Sequence, residues 1–383
     1  MPPEAGTGPG GVERAAGTPG PSVGAAETPG PSVGAAGTPG PSVPVAEMSP
    51  ASLGAAVESA VERLRASGSE TARLDAELLA AHVLGVERTT VIAHPEVSLS
   101  PDAVARLEEA VRRRQRGEPV AYIRGMKEFH GLALSADGRA LIPRPDTELL
   151  ADLGVARTVD RVLRAGKCRA VDVGTGSGAV VLAMAATLRA RGMLREVALL
   201  ATDVSADALA LARENAVAHG LADAVEFEMA DLLERRQAVG AHVPLAGAEA
   251  GPPGSGVPAA AAAAPTLSGI DVLLANLPYV PSGDVPRLPI AASFEPRIAL
   301  DGGPDGLDVV RRLLGLLPGA LAGDGVALLE IGAGEAEGVR EAVERLLPGW
   351  SVEFHRDLAG IERVAEVRPA GDAGASTDAG RPR

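Results

Sequence analysis

The apolar positions of this chain change period twice. From Ala51 to Gly117 they recur at three- and four-residue spacing, in LGAAVESAVERL, TARLDAELLAAHVLGV and SPDAVARLEEAVRRRQRG. That spacing predicts amphipathic helices. In the third segment Ser100 stands at the N-cap, Pro101 at the first helical position and arginines in the last turns, the order that capping and the helix dipole favour. A small domain of three or more helices is expected over 51–120. Next comes a connecting segment, 121–147, in which MKEFHGLALSADGRALIP alternates around Asp137-Gly138. It predicts a hairpin turning at that pair. Asp146 or Thr147 is placed to cap a helix beginning near Glu148. From about Cys168 the pattern becomes strand, helix, strand. CRAVDVG, EVALLATDVS, AVEFEMADLL and GIDVLLANLPYV read as strands, as do parts of LLPGALAGDGVALLEIG and SVEFHRDLAGIERVAEVRP. Apolar strands joined by helices predict a mostly parallel, doubly wound α/β sheet, here assigned to 148–370.

Three stretches carry no such pattern. Residues 1–50 repeat TPGPSV at Thr18, Thr28 and Thr38, a unit too short to bury a face. They read as a disordered, low-complexity segment, and Met48 is an alternative start just before the first patterned helix. Residues 236–268, rich in Ala, Gly and Pro, read as a disordered insertion, expected to be tolerated on the edge away from the active strand ends. Residues 371–383 read as a disordered tail.

Composition narrows the function classes. The formal net charge is -14, which argues against stable nucleic-acid binding through phosphate contacts. Cys168 is the only cysteine, so an internal disulfide and a thiolate metal cluster are both excluded. The six histidines form no HxxxH pair, and no metal is expected. No signal-peptide order and no membrane-spanning apolar run is visible. A cytoplasmic monomer without a membrane partner is the expectation. Arg112, Arg113, Arg114 and Arg116 either face an acidic partner or end a helix in solvent.

The chemistry concentrates at strand ends. VDVGTGSGAV places Gly174, Thr175, Gly176 and Gly178 directly after a strand. Small residues there let backbone approach a ligand, and the following helix N-terminus favours polar or anionic groups. A dinucleotide and a tight structural turn both remain open on the glycines alone. Asp203 ends the next strand, where an acid binds ribose hydroxyls. Asp172 sits inside the first strand end as an acceptor for a ligand ammonium or an anchor for loop amides. Asp231 closes the third strand, and its carboxylate with the Leu232 amide suits an adenine edge. With Asn276, these acids favour S-adenosylmethionine over a dinucleotide, because four polar strand ends line one crevice of an open α/β sheet. In ANLPYV, the Asn276 side chain and the Leu277 carbonyl offer two acceptors to a planar N–H group. Pro278 stiffens the backbone and Tyr279 lies flat beside the acceptor. That constellation orients a nitrogen towards an electrophilic methyl and needs no protein nucleophile.

EPVAYIRGMKEFHGLALSADGRALIPRPDTELL, VDVGTGSGAVVLAMA, ATDVSADALALARENAVAHGL, ANLPYV, FEPRIALDGGPDGLDVVRRLL, LLEIG and DLAGIERV together resemble the HemK-type protein-(glutamine-N5) methyltransferases of peptide chain release factors. The resemblance implies a class I SAM-dependent methyltransferase, Rossmann-like, with a seven-stranded mostly parallel sheet and a small N-terminal helical domain that docks the release factor. It implies transfer to the glutamine of a Gly-Gly-Gln motif. Asp172, Gly174, Gly176, Asp203 and Asp231 would be cofactor residues. Asn276, with Tyr279 beside it, would hold the substrate amide. Arg144, Pro145 and Glu148 would line the meeting point of substrate and cofactor, with Phe129 in the same wall. The family usually carries two prolines after the asparagine, and here Leu277 replaces the first. Asn-Leu-Pro-Tyr also resembles the motif of adenine N6-methyltransferases of ribosomal RNA, which keeps adenine methylation as the alternative reaction. If residues 1–47 are a dispensable segment, a chain starting at Met48 retains full methyl transfer to a release factor. A large loss in that assay overturns the assignment.

Overall fold

The computed structural model describes residues 52–235 and 267–369. The expectations for 1–50, for nearly all of the 236–268 insertion and for 371–383 lie outside the described residues.

The helical region holds α1 (Leu53–Ala66), α2 (Ala72–Leu84), α3 (Arg88–Ala93), α4 (Pro101–Gln115) and α5 (Val120–Arg124). Their apolar faces share one core that includes Leu64, Leu79, Leu107 and Ile123. Ser100 caps α4, accepting from the Ala103 N–H at 3.2 Å. The arginines at the end of α4 pair with acids of the helical region, Arg112 and Arg116 on its exposed surface and Arg113 and Arg114 partly buried. Arg113 pairs with Glu118, and Arg112 and Arg116 pair with Glu109. Arg114 Nε donates to the buried Asp75 at 2.8 Å. Asp75 also accepts from the Ser69 and Thr71 hydroxyls. One carboxylate therefore ties the loop before α2 to the end of α4.

The hairpin lies earlier than the sequence predicts. β1 (Met126–Phe129) pairs antiparallel with β2 (Leu132–Ser135). The turn is His130-Gly131, with φ of 47° and 76°, the double left-handed geometry of a tight hairpin turn. Asp137-Gly138 forms a separate bend, because Asp137 Oδ1 accepts from the Arg139 N–H at 3.0 Å. A local side-chain turn of this kind competes with strand pairing.

After α6 (Glu148–Ala165) the main sheet begins. Its strands are β3 (Cys168–Val173), β4 (Val197–Asp203), β5 (Val225–Asp231), β6 (Glu234–Arg235), β7 (Ile270–Asn276), β8 (Leu321–Glu330), β9 (Trp350–Arg356) and β10 (Glu362–Pro369). The spatial order is β6-β5-β4-β3-β7-β8-β10-β9. β5, β4, β3, β7 and β8 are parallel, and β10 is antiparallel to both β8 and β9. This is the class I methyltransferase arrangement, with one addition to the expected seven strands. Leu232 adopts φ 57°, which folds the chain back so that β6 pairs antiparallel with β5. The Leu267 N–H then donates to the Leu233 carbonyl at 2.9 Å. Where the described chain resumes, it is thus pinned beside where it stops.

Helices cover both faces. α6 and α7 (Ala179–Ala190) pack one core with Leu150, Leu182, Met184 and Leu274, and α8 (Ala206–Ala218) adds Ala216 to it. α9 (Asp308–Ala320) and α10 (Ala336–Leu346) pack the other with Leu273, Leu313, Leu329 and Val339. Asn215 of α8, fully buried, joins the hairpin to the glycine loop after β3. It accepts from the Ser135 N–H at 2.7 Å and donates to the Ser177 carbonyl at 3.0 Å. Among the described residues no helix is long and apolar enough to cross a membrane.

Removing the carboxylate that organises the helical region strands a half-buried guanidinium. Asp75→Ala is expected to cost roughly 3–5 kcal/mol in urea unfolding. A cost below about 1 kcal/mol, the range of exposed pairs, means Arg114 is solvated rather than anchored.

Candidate active site

Parallel strands bring their C-terminal ends to one edge, and the order of this sheet reverses beside β3, the position where open α/β sheets bind ligands. A cavity of about 360 Å3 opens there, within the range of small-molecule sites. Asp172, Asp203, Asp231 and Asn276 all line it, with Gly174, Thr175, Gly176, Leu232, Leu277, Pro278 and Arg144.

The glycine loop is held by its own acids. Gly174 and Thr175 donate their N–H groups to the Thr202 carbonyl at 2.8 and 2.9 Å. Asp172 Oδ2 accepts from the Thr175 hydroxyl at 2.7 Å. Burial pushes the Asp172 carboxyl up to about 6, against the Thr175 hydroxyl and the Val181 N–H. A ligand cation facing it favours the ionised form. Asp203 accepts from Gly176 N–H at 2.9 Å and from Ser205 N–H at 2.8 Å. With the Val204 N–H as a third backbone donor, the carboxylate still has lone-pair capacity for a ligand hydroxyl. Gly176 sits at φ 57°, so the loop turns with no side chain between its amides and the cavity. Asp231 Oδ1 takes Arg312 at 2.9 Å.

The acceptor loop is built from contacts distant in sequence. The Val280 N–H donates to the Leu300 carbonyl, and the Gly302 N–H to the Val280 carbonyl, both at 2.9 Å. A Cβ on Gly302 would lie 2.7 Å from the Pro278 carbonyl oxygen, and one on Gly306 2.3 Å from that of Tyr279. The glycines of DGGPDG thus seat the ANLPYV turn through direct backbone packing. Arg144 of IPRP pairs with the buried Glu295 of FEPR at 2.5 Å, and Glu295 also accepts from the Ile142 N–H at 3.1 Å. Leu277, buried, points at Gly174, with Cδ2 3.2 Å from where a Cβ would stand. The side chain that replaces the first proline is absorbed by the missing side chain of the glycine loop.

Asn276 Nδ2 donates to the Thr147 hydroxyl at 3.1 Å. Thr147, expected as a helix cap, makes no side-chain cap bond to α6. Beside this pair lies Glu330, the last residue of β8, paired in register with Asn276. It was missed in the sequence, although a polar residue ending a parallel strand is the signal that marked the other four. A second cavity, of about 380 Å3, lies against Asn276, Tyr279, Arg144 and Glu295.

Four of the sequence candidates line neither cavity. Phe129 is 1% exposed and belongs to the core under α6. Glu148 Oε1 accepts from the His130 N–H at 2.8 Å and anchors the hairpin turn. Pro145 opens the short 3-10 turn before α6. Gly178, at φ 83°, begins α7 and faces Leu182 and Ala212. Among the described residues no group of His, Cys, Asp and Glu is placed to hold a metal ion.

The model of the PrmC N-terminal domain matches residues 55–125. A release factor glutamine methyltransferase of Moorella thermoacetica is 35% identical over 313 residues, spanning 82% of this chain and 96% of the relative. One of Deinococcus radiodurans is 34% identical over the same length and coverage. The chain belongs to the release factor glutamine methyltransferase family. A crystal structure of a ribosomal protein L11 methylase from Lactobacillus delbrueckii subsp. bulgaricus is 18% identical, with TM-score 0.36 over 61% of this chain and 82% of that one. The family's cofactor, S-adenosylmethionine, fits the crevice: carboxylates, glycine backbone and apolar walls lie together in it.

Because Gly302 touches the acceptor turn through its backbone, Gly302→Ala is expected to displace Pro278 and Tyr279. Turnover falls at least about tenfold, with stability lowered by roughly 1–3 kcal/mol. Parent-like turnover shows that the turn does not depend on this contact.

Proposed function

We propose that this chain transfers a methyl group from S-adenosylmethionine to the side-chain amide nitrogen of the glutamine in the Gly-Gly-Gln motif of peptide chain release factors. The observation that carries the reading is the place of Asn276. It forms part of the wall of both cavities, the glycine-loop crevice and the second cavity beside Tyr279. Cofactor in the first and a glutamine side chain in the second meet at that residue.

Bound in the crevice, the cofactor supplies an electrophilic methyl group on a sulfonium. The protein's task is orientation. An amide nitrogen is a poor nucleophile because its lone pair is delocalised into the carbonyl. Asn276 Oδ1 and the Leu277 carbonyl accept its two N–H groups, which fixes the nitrogen in place and stabilises the positive charge it gains as the N–C bond forms. The sulfonium C–S bond would break with its electron pair going to sulfur, and the nitrogen would then give up one N–H proton to solvent. Pro278 limits the freedom of that second carbonyl. Tyr279 covers the amide plane, and burial, followed by the nearby Glu330 charge, pushes its phenol up, so it stays neutral. Asp172, Asp203 and Asp231, with the Leu232 amide, hold the ammonium, ribose and adenine ends of the cofactor. Arg144, paired with Glu295, borders the glutamine channel. The helical region carries the docking surface for the release factor. A monomer acting in the cytoplasm, with a protein rather than a nucleic acid as substrate, completes the proposal.

Labelled S-adenosylmethionine with a release factor and its Gly-Gly-Gln→Gly-Gly-Ala form tests the acceptor. Label on the first alone is expected; equal label on both removes the glutamine assignment, and label on RNA in a parallel reaction favours adenine instead. Asn276→Ala is expected to keep cofactor affinity while kcat drops about 100-fold or more. Turnover near the parent value disproves the role of Asn276.

A further inference from the structure

An asparagine amide is nearly symmetric in shape, so its neighbours decide which end faces the substrate. Only the oxygen end can accept the glutamine N–H. On the protein side of Asn276 stand Thr147 and Glu330. Asn276 Nδ2 donates to the Thr147 hydroxyl at 3.1 Å. Glu330, in register with Asn276 on the neighbouring strand, has a carboxyl whose pKa burial pushes up and the Thr147 and Asn276 side chains that face it hold down. Glu330 is 4% exposed and lines neither cavity, so it reaches the substrate only through Asn276. Its Oε2 has no hydrogen-bond partner. A buried, half-satisfied carboxylate is costly to keep, and packing alone would be better served by an apolar strand end.

We propose that Glu330 is a positioning residue for methyl transfer: as an acceptor-only carboxylate it holds the Asn276 NH2 group inward, directly and through Thr147, and so leaves Asn276 Oδ1 facing the glutamine amide. This rests on the reading that Asn276 accepts the substrate N–H. A reversed amide would set Oδ1 against the carboxylate, which repels it. The negative charge behind the NH2 group also polarises the amide and strengthens Oδ1 as an acceptor.

Protonation removes the bias, because a carboxylic acid donates as well as accepts. Burial pushes the Glu330 carboxyl up to about 7. The groups facing it are Thr147 and Asp146 from the turn before α6, Asn276 of β7, Tyr279 from the following loop, and Arg363 of β10. Asp146 raises it further, while Thr147, Arg363 and Asn276 oppose the shift. Glu366, two positions along β10 from Val364, is held by Arg157 and His355. The ionised form prevails above the shifted value and is lost as pH falls through it. Turnover should therefore decline on the acid side of about 7.

The test compares kcat and KM for a release factor across pH about 6 to 9 in the parent, Glu330→Gln, Thr147→Val and Asn276→Ala proteins, with cofactor affinity measured for each. Glu330→Gln, almost isosteric, is expected to lower kcat about 10- to 100-fold at the alkaline end. Its KM and cofactor affinity stay near parent values, and the acid limb of the profile disappears. Thr147→Val keeps the limb and loses turnover by a smaller factor, and it carries the comparison if Glu330→Gln fails to fold: a Thr147→Val protein with parent turnover then overturns the proposal. An unchanged acid limb in Glu330→Gln while Asn276→Ala is inactive overturns the Glu330 assignment alone. Parent-like turnover in Asn276→Ala overturns both the assignment and the reading beneath it.

Discussion

The edge where the parallel strands end must satisfy several buried carboxylates at once, and the site follows from how it does so. Asp172 and Asp203 are each largely withdrawn from water, and each is compensated by donors from the glycine loop: Thr175 for one, Gly176 for the other. Buried charge without such partners would cost several kcal/mol. The same hydrogen bonds that make the acids tolerable therefore fix the loop. The fold and the ligand crevice share one set of contacts, so neither is arranged independently of the other.

Beyond β7 the logic changes from local to distant. Asn276 is oriented by Thr147, 129 positions earlier, and by Glu330, its neighbour across the sheet. The turn after it is seated by the backbone of Gly302 and Gly306. Arg144 reaches Glu295 across 151 positions. Those pairings explain why IPRPDTE and FEPRIALDGGPDGLD belong together in one sequence: each is half of a frame whose other half lies elsewhere in the chain.

That division also sets what the sequence could disclose. The doubly wound sheet was legible because buried parallel strands are continuous apolar runs, and Asp172, Asp203, Asp231 and Asn276 stood out as polar residues ending them. Glu330 ends β8 in the same way, yet LLEIG reads as a strand followed by a turn unless its register with Asn276 is known. Thr147 looked like a cap because helix caps are local, whereas its hydroxyl serves a partner far along the chain. Phe129 and Glu148 came with a motif around the cavities, and the structure places one in the core under α6 and the other on the His130 N–H. The hairpin was misplaced because Asp137-Gly138 is a strong turn pair by composition, while His130-Gly131 turns only because a non-glycine residue accepts a left-handed backbone, and Glu148 holds its N–H.

The bond between Leu233 and Leu267 has a consequence for how this gene product can vary. Once both ends of a connection are clamped to each other, the sheet receives the same boundary condition whatever chain runs between them. The entropy of closing such a span grows only with the logarithm of its length, about 0.6 kcal/mol for each doubling. For the strands on either side, a change in the number of residues between those two leucines would thus alter the closure entropy only slightly.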